Sequence, residues 1–213
     1  MKTVTRLRSP LGGMLSVWAL ALIPTAYAQV SLDDFHVTNG KIENSQGRLS
    51  VSTKEMRAVL KYQTRQDVTV KFTYQGPTAQ VSRLGSGEVR TQFGIKLRAQ
   101  DNCNIVYVMW HFAPDTKIAV SVKRNPGEST HEQCLDLGYI TKFKPRVSAQ
   151  VAAIRPGQPH KLRASMKGSN LMVAADDRTV WEGDLGPVAL QFDGPVGVRS
   201  DNARVNFDFF ATK

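Results

Sequence analysis

The chain reads as an all-β protein, an antiparallel two-sheet β-sandwich of the jelly-roll kind. Three observations predict it. Short runs of alternating apolar and polar residues recur along the chain, the period-two pattern of half-buried strands. Turn signals such as Asn39-Gly40 and Gln46-Gly47 punctuate those runs at regular spacing. No long stretch shows helical periodicity, and no internal repeat is visible.

The first 28 residues stand apart from this pattern. Lys2, Arg6 and Arg8 form a positive start, Leu11 to Ile23 a short apolar run, and Ala26-Tyr27-Ala28 a small-x-small cleavage pattern. This is a bacterial-style secretory leader, too short and wrongly flanked for a membrane span. An uncut N-terminal anchor is the competing reading. No lipobox cysteine precedes the cut, so no lipid anchor is expected. Cleavage leaves 185 of the 213 residues, 29–213, enough for a single domain with one core. The expected place is the periplasm or the exterior, as a soluble protein without a transmembrane segment.

The whole chain carries a formal +10; the leader takes three basic residues and no acidic one, leaving +7. A basic surface favours polyanionic partners. Export argues against nucleic acid and leaves acidic polysaccharide or envelope phosphate. The Lys and Arg are scattered, so solubility and blunted sheet edges explain them about as well. Export also permits Cys103 and Cys134 to pair. That bridge would close a loop of about 30 residues, worth roughly 3–4 kcal/mol. Two separate buried thiols are the alternative. None of the four His has metal-ligand spacing to a Cys pair, so no zinc site is expected.

The elements follow in order. Phe35 to Ser52 reads as a β-meander turning at Asn39-Gly40 and Gln46-Gly47. Met56 to Tyr62 alternates, and Asp67 to Tyr74 puts Val68, Val70, Phe72 and Tyr74 on one face. Residues 77–90 are polar and Gly/Ser-containing, a loop. In Gln92 to Arg98, Phe93, Ile95 and Leu97 point one way while Gln92, Lys96 and Arg98 point the other. Asn104 to Phe112 is apolar on both faces and therefore an interior strand: Ile105, Tyr107, Met109 and His111 against Val106, Val108, Trp110 and Phe112. Lys117 to Lys123 follows. Residues 126–157 are an irregular excursion with one or two short strands, of a length that often carries function. His160 to Met166 alternates, and Leu171 to Gly183 is a hairpin turning at Asp176-Asp177-Arg178. Val196 to Arg199 and Arg204 to Phe210 close the chain around a polar turn at Ser200-Asp201-Asn202, with Val205, Phe207 and Phe209 on one face. The total is about 11 to 13 strands.

This order of elements resembles the concanavalin A-like lectin/glucanase superfamily, in particular its laminin-G-like and 3-keto-glycoside-hydrolase-like bacterial sandwiches. The resemblance is carried by Phe35 to Gly47, Phe93-Gly-Ile-Lys-Leu-Arg98, Gly157 to Arg163, Gly168 to Val173 and Gly194 to Phe210. It spans nearly all of residues 29–213. It implies the sandwich and carbohydrate as the ligand class, not an activity.

Glucanases of that superfamily carry Glu-x-Asp-x-x-Glu on one strand, which alternation turns into a cleft-facing carboxylate pair. No such run exists here. The alginate-lyase-like pattern is met only in part, by Gly87-Glu88-Val-Arg90, Trp110-His111 and Tyr139 to Lys144. No nucleophile elbow or phosphate loop occurs. Calcium would need clustered loop oxygens; Asp101-Asn102, Asp176-Asp177 and Asp201-Asn202 are better read as turns, and no cofactor or metal is expected. What remains is a ligand face of Lys96, Arg98, Tyr107, Trp110, His111, Arg199 and Asp201. Aromatic rings stack on sugars, and Arg or Lys meet carboxylates and sulfates. Tyr107 and Trp110 read equally well as core, and His111 as a partly buried structural histidine. The expected function is an exported, non-catalytic carbohydrate-binding domain for an anionic or envelope polysaccharide. A glycoside hydrolase or polysaccharide lyase of the same fold, and an envelope protein-interaction module, are the alternatives.

Overall fold

A computed structural model describes Met1 and residues 27–212. Residues 2–26, where the leader was expected, lie outside the described residues. The order is as follows. The nine-stranded sheet runs β11 (Val147–Ser148), β14 (Arg178–Asp184), β13 (Asn170–Ala175), β12 (Pro159–Lys167), β6 (Asp67–Pro77), β16 (Ala203–Ala211), β4 (Arg48–Val51) and β3 (Glu43–Ser45). β1 (Ala28–Gln29) adds to the end of β16, with Ala28 opposite Ala211. The leader cut expected after Ala28 falls inside this short pair.

The seven-stranded sheet runs β10 (Tyr139–Ile140), β9 (Lys117–Lys123), β8 (Ile105–Ala113), β7 (Thr91–Leu97), β15 (Gly197–Asp201), β5 (Glu55–Leu60) and β2 (Phe35–Asn39). Neighbouring strands pair antiparallel in both sheets. The one α-helical turn among the described residues is α1 (His131–Cys134).

The core forms where the inner faces meet. Phe72 of β6 lies 5.2 Å from Phe93 and 5.7 Å from Trp110, ring centroid to ring centroid, which ties one sheet to the other. Phe93 also meets Phe207 at 5.4 Å. Offset and edge-on ring contacts of this kind add to the burial of apolar area. The alternation read in β6, β12 and β16 is present as burial, with Val205, Phe207 and Phe209 fully enclosed; β7 is buried on both faces from Gln92 to Leu97.

Two hairpins form as the turn residues dictate. Gln46 (φ 53°) and Gly47 (φ 78°) join β3 to β4, and Asp176 (φ 48°) and Asp177 (φ 65°) join β13 to β14. Paired positive φ values match the twist of a tight hairpin.

Two expected pairings are not made. Asn39-Gly40 does not turn a hairpin, because β2 pairs with β5 while β3 pairs with β4 in the other sheet. The closing strands do not pair with each other either. β15 lies between β5 and β7, and β16 lies between β4 and β6. Asn202 (φ 55°) carries the chain from one sheet to the other. Its amide side chain bonds the carbonyls of Ser82 and Arg90, which fixes the crossing. Among the described residues the strands number sixteen rather than 11 to 13. β1, β10 and β11 are two residues each, too short to show any periodicity.

Cys103 and Cys134 form a disulfide with Cα atoms 5.8 Å apart. It joins the start of β8 to α1. The separated-thiol alternative is thereby removed. Among the described residues no helix is long and apolar enough to cross a membrane.

Candidate functional site

The outer face of the seven-stranded sheet carries the polar array. β7 sends Phe93, Ile95 and Leu97 into the core, so strand alternation turns Gln92, Gly94 and Lys96 outward. Register then lines up their neighbours in three rows. Glu55, Asp201, Gln92, His111 and Lys117 form one. Arg57, Arg199, Gly94, Met109 and Ala119 form the next. Val59, Gly197, Lys96, Tyr107 and Ser121 form the third.

This face is covered, not open. The excursion after β9 folds back over it. Asn125 Nδ2 donates to Leu137 O at 3.2 Å, and Arg124 N donates to Gly138 O at 3.0 Å. Lys123 Nζ donates to Leu135 O, and the disulfide holds α1 from the other side. From across the face, the loop 84–87 meets the same segment: a Cβ built on Gly85 would collide with the Asp136 carboxylate. The result is two adjoining cavities that share Tyr107, Asp136, Tyr139 and Arg199 in their walls. The smaller encloses about 210 Å³ above Arg57, Lys96 and Lys123. The larger encloses about 750 Å³ and is lined by Arg90, Gln92, His111, Phe143 and Trp181 among others.

At the floor, Asp201 is the buried anion. It accepts Arg199 Nε at 2.8 Å and Gln92 Nε2 at 2.6 Å on one oxygen, and Arg57 on the other. Burial alone would push its carboxyl up; Arg199 and Arg57 outweigh that and hold it at about 2. Arg199 is correspondingly fixed as a cation, and its guanidinium lies 5.0 Å from the centre of the Tyr107 ring. Tyr107 stacks on Tyr139 at 6.2 Å. Burial lifts the Tyr107 phenol to about 12, against the pull of Arg199.

Lys96 is the exception among these groups. It is 1% exposed, and no hydrogen bond or ion pair to its amine exists among the described residues. Burial, then Arg57 and Arg199, depress it to about 7. His111 is also depressed, to about 3, by burial and by Arg90, whose Nη1 lies 3.5 Å from His111 Nε2. At neutral pH His111 is an uncharged and very weak base.

Of the residues expected on this face, Lys96, Tyr107, His111, Arg199 and Asp201 are brought together. Two are not. Trp110 belongs to the inner face of β8: it is fully buried, edge-on to Phe72 at 5.7 Å and to His160 at 5.3 Å. Arg98 lies past the end of β7, where φ 47° breaks the alternation that would have carried it outward with Lys96. Its guanidinium donates to Phe192 O at 3.2 Å instead. The face holds residues that sequence reasoning missed. Arg57 was readable, since it alternates with buried Met56 and Ala58. Tyr139 and Asp136 were not, because nothing in an irregular excursion states where it folds back.

The turn acids are taken by local bonds. Asp101 accepts the backbone N–H of Cys103 and of Asn104, each at 2.8 Å, and Asp176 accepts that of Lys161 at 2.8 Å. Among the described residues no group of three or more His, Cys, Asp or Glu is placed to hold a metal ion.

Two antiparallel sheets in this order, with a ligand-sized space over one outer face, settle the architecture. The fold is that of the concanavalin A-like sandwiches. Solved structures agree. The chain is similar to carbohydrate-binding module CBM66 from Bacillus subtilis, at 13% identity and a TM-score of 0.55, over 82% of this chain and 91% of that one. It is similar to the carbohydrate recognition domain of Emp46p in its metal-free form, at 10% identity and a TM-score of 0.52, over 85% and 88%. It is also similar to SCLam, a non-specific endo-β-1,3(4)-glucanase of family GH16, at 10% identity and a TM-score of 0.51, over 90% and 92%. At such identities the likeness is one of fold. No protein-family profile matches the chain, and no curated protein matches it.

Proposed function

We propose that this is an exported carbohydrate-binding domain that takes an anionic polysaccharide, without cleaving it, over the outer face of its seven-stranded sheet. The observation that carries the reading is the floor of that face: Arg57, Lys96, Lys123 and Arg199 against the single buried carboxylate of Asp201, beside the stacked rings of Tyr107 and Tyr139. Rings give sugar stacking and buried cations give charge recognition. The fold neighbours named for carbohydrate binding support the ligand class. The leader-like first 28 residues and the disulfide support export.

Non-catalysis rests on the carboxylates. Two-carboxylate hydrolysis needs an acid and a base flanking one bond. Asp136 is the one acid lining the larger cavity, and Asp201 beneath it is locked by two arginines.

A second reading keeps one specific observation. Arg90, Gln92, His111 and Tyr107 line the same cavity, a set able to neutralise a uronate carboxylate and handle a proton. Lyase activity is disfavoured by the weak basicity of His111 and the raised phenol of Tyr107.

The test is an acidic and neutral polysaccharide panel against residues 29–213, scored for retention and for released ends. Retention of acidic chains, lost in Tyr107→Ala, is expected. Release of unsaturated ends would replace the binding reading with the lyase one. Absence of binding to every glycan would sink both and favour a protein-interaction module.

A further inference from the structure

We propose that the smaller cavity is a subsite for one compact oxyanion of the bound glycan, a carboxylate or sulfate, which seats on the amine of Lys96 between Arg57 and Arg199, and that seating it draws a proton onto that amine. This rests on the reading of the face as a glycan site and adds where the charge goes and what its binding is coupled to.

The cavity is a built site. Its floor holds Lys96, a residue 1% exposed that lines the space and whose amine makes no hydrogen bond or ion pair among the described residues. A buried ammonium without a counter-charge costs several kcal/mol, so such groups lose the proton or gain a partner. Asp201 does not serve as that partner, since both its oxygens are engaged by the two arginines and Gln92. An incoming oxyanion would serve, and at about 210 Å³ the cavity holds one such group with part of its ring.

The acids are arranged at a different depth. Glu132 and Asp136 are exposed, and Glu55 is half-buried and bonded to Asn39 Nδ2 at 3.2 Å. Charge at the mouth is therefore negative and charge at the floor positive. Rim carboxylates accept hydrogen bonds from sugar hydroxyls, while the floor takes the anion. The remaining groups facing Lys96 do not reverse this. Lys123 is a second floor cation directed at the carbonyls of Leu135 and Asn102, His131 is exposed, and burial keeps the Tyr107 phenol uncharged at neutral pH.

Proton linkage follows. In the free protein the Lys96 amine sits at about 7, so a large share is neutral at pH 7.5. An anion favours the protonated form and raises that value. Binding takes up a fraction of a proton at pH 7.5, and affinity falls as pH rises from 6 to 9.

The experiment titrates residues 29–213 with sodium sulfate, sodium glucuronate, glucuronate methyl ester and neutral glucose oligomers. Calorimetry at pH 7.5 in two buffers of different ionisation enthalpy counts protons. Expected are proton uptake with glucuronate or sulfate and none with the ester, and affinity for the anions weaker by about tenfold or more in Lys96→Met. Lys96→Arg, permanently charged, is expected to keep anion binding and lose its pH dependence. Equal binding of acid and ester, no proton uptake, or unchanged anion affinity in a folded Lys96→Met would overturn the subsite. Sulfate binding without any glycan binding would retain the subsite while removing the glycan reading. Glycan binding without anion preference would do the reverse.

Discussion

Arg199 donates from Nε to Oδ2 of Asp201, two residues along the same strand, at 2.8 Å. Residues two apart share a face, so the pair is built by strand geometry alone. Arg57, opposite Arg199 on β5, closes on the other oxygen. A buried and a half-buried cation thus share one carboxylate, and that imbalance sets the chemistry of the face around it.

The carboxylate at the centre of this trio is the first point to test. Asp201→Asn leaves the buried Arg199 guanidinium and the half-buried Arg57 without their anion and should cost about 3–5 kcal/mol in urea unfolding. The sign with pH follows from a carboxyl held at about 2. Its unfolded value is about 3.9, so the contribution is complete above pH 4 and disappears as pH falls through 2. An Asn variant as stable as the parent at pH 7 would show that the trio is not a stabilising network.

Lys96 should behave oppositely. The folded amine sits at about 7, while the unfolded chain holds that proton to about 10.4. The unfolded state then binds more protons between those values, so stability rises with pH through that window. Lys96→Met should stabilise the protein by about 1–3 kcal/mol at pH 6, with the gain shrinking toward pH 10. Loss of stability at pH 6 in this variant would mean that the amine has a partner after all.

The disulfide pins the cover over the cavities. Reduction, or Cys103→Ser with Cys134→Ser, should cost about 3–4 kcal/mol for a loop of 31 residues. Leu135 and Leu137 on that segment are exposed and contribute no core packing. Hydrogen exchange should therefore speed up at 129–140 before the sheets respond. Uniform protection loss across both sheets would argue that the cover and the sandwich open as one unit.

Three substitutions separate site from core. Arg98→Ala should leave glycan retention intact, because Arg98 bonds Phe192 O away from the cavities. Trp110→Ala should lose about 3–5 kcal/mol by leaving a hole beside Phe72. Tyr139→Ala should retain the fold and weaken binding about tenfold by unstacking Tyr107. Loss of binding in Arg98→Ala with the fold intact would move the site.

Much of this was legible in the chain. Alternation in β6, β12 and β16 named the buried residues nearly one for one, because a half-buried strand shows its faces at period two. The same period set Lys96, Tyr107, His111 and Arg199 on compatible faces of their strands. It failed at Arg98, where a positive φ ends the strand one residue early. At Trp110 it gave the correct side, shared with Val106 and Val108, while the ring's chemistry suggested a ligand.

What the sequence determined by itself is therefore the longer strands, most of their inward and outward residues, and the two tight hairpins. These are local properties, fixed by side-chain alternation and turn conformation within a few residues. Which strands lie side by side was decided only in the tertiary structure. Val196 to Phe210 reads as a hairpin, yet Asn202 sends its halves into opposite sheets. The floor of Arg57, Lys96 and Arg199 draws on three strands far apart in the chain, and its cover on a segment with no period at all. Partner choice rests on burying each strand's apolar face against distant segments, and no local pattern records which segment that will be.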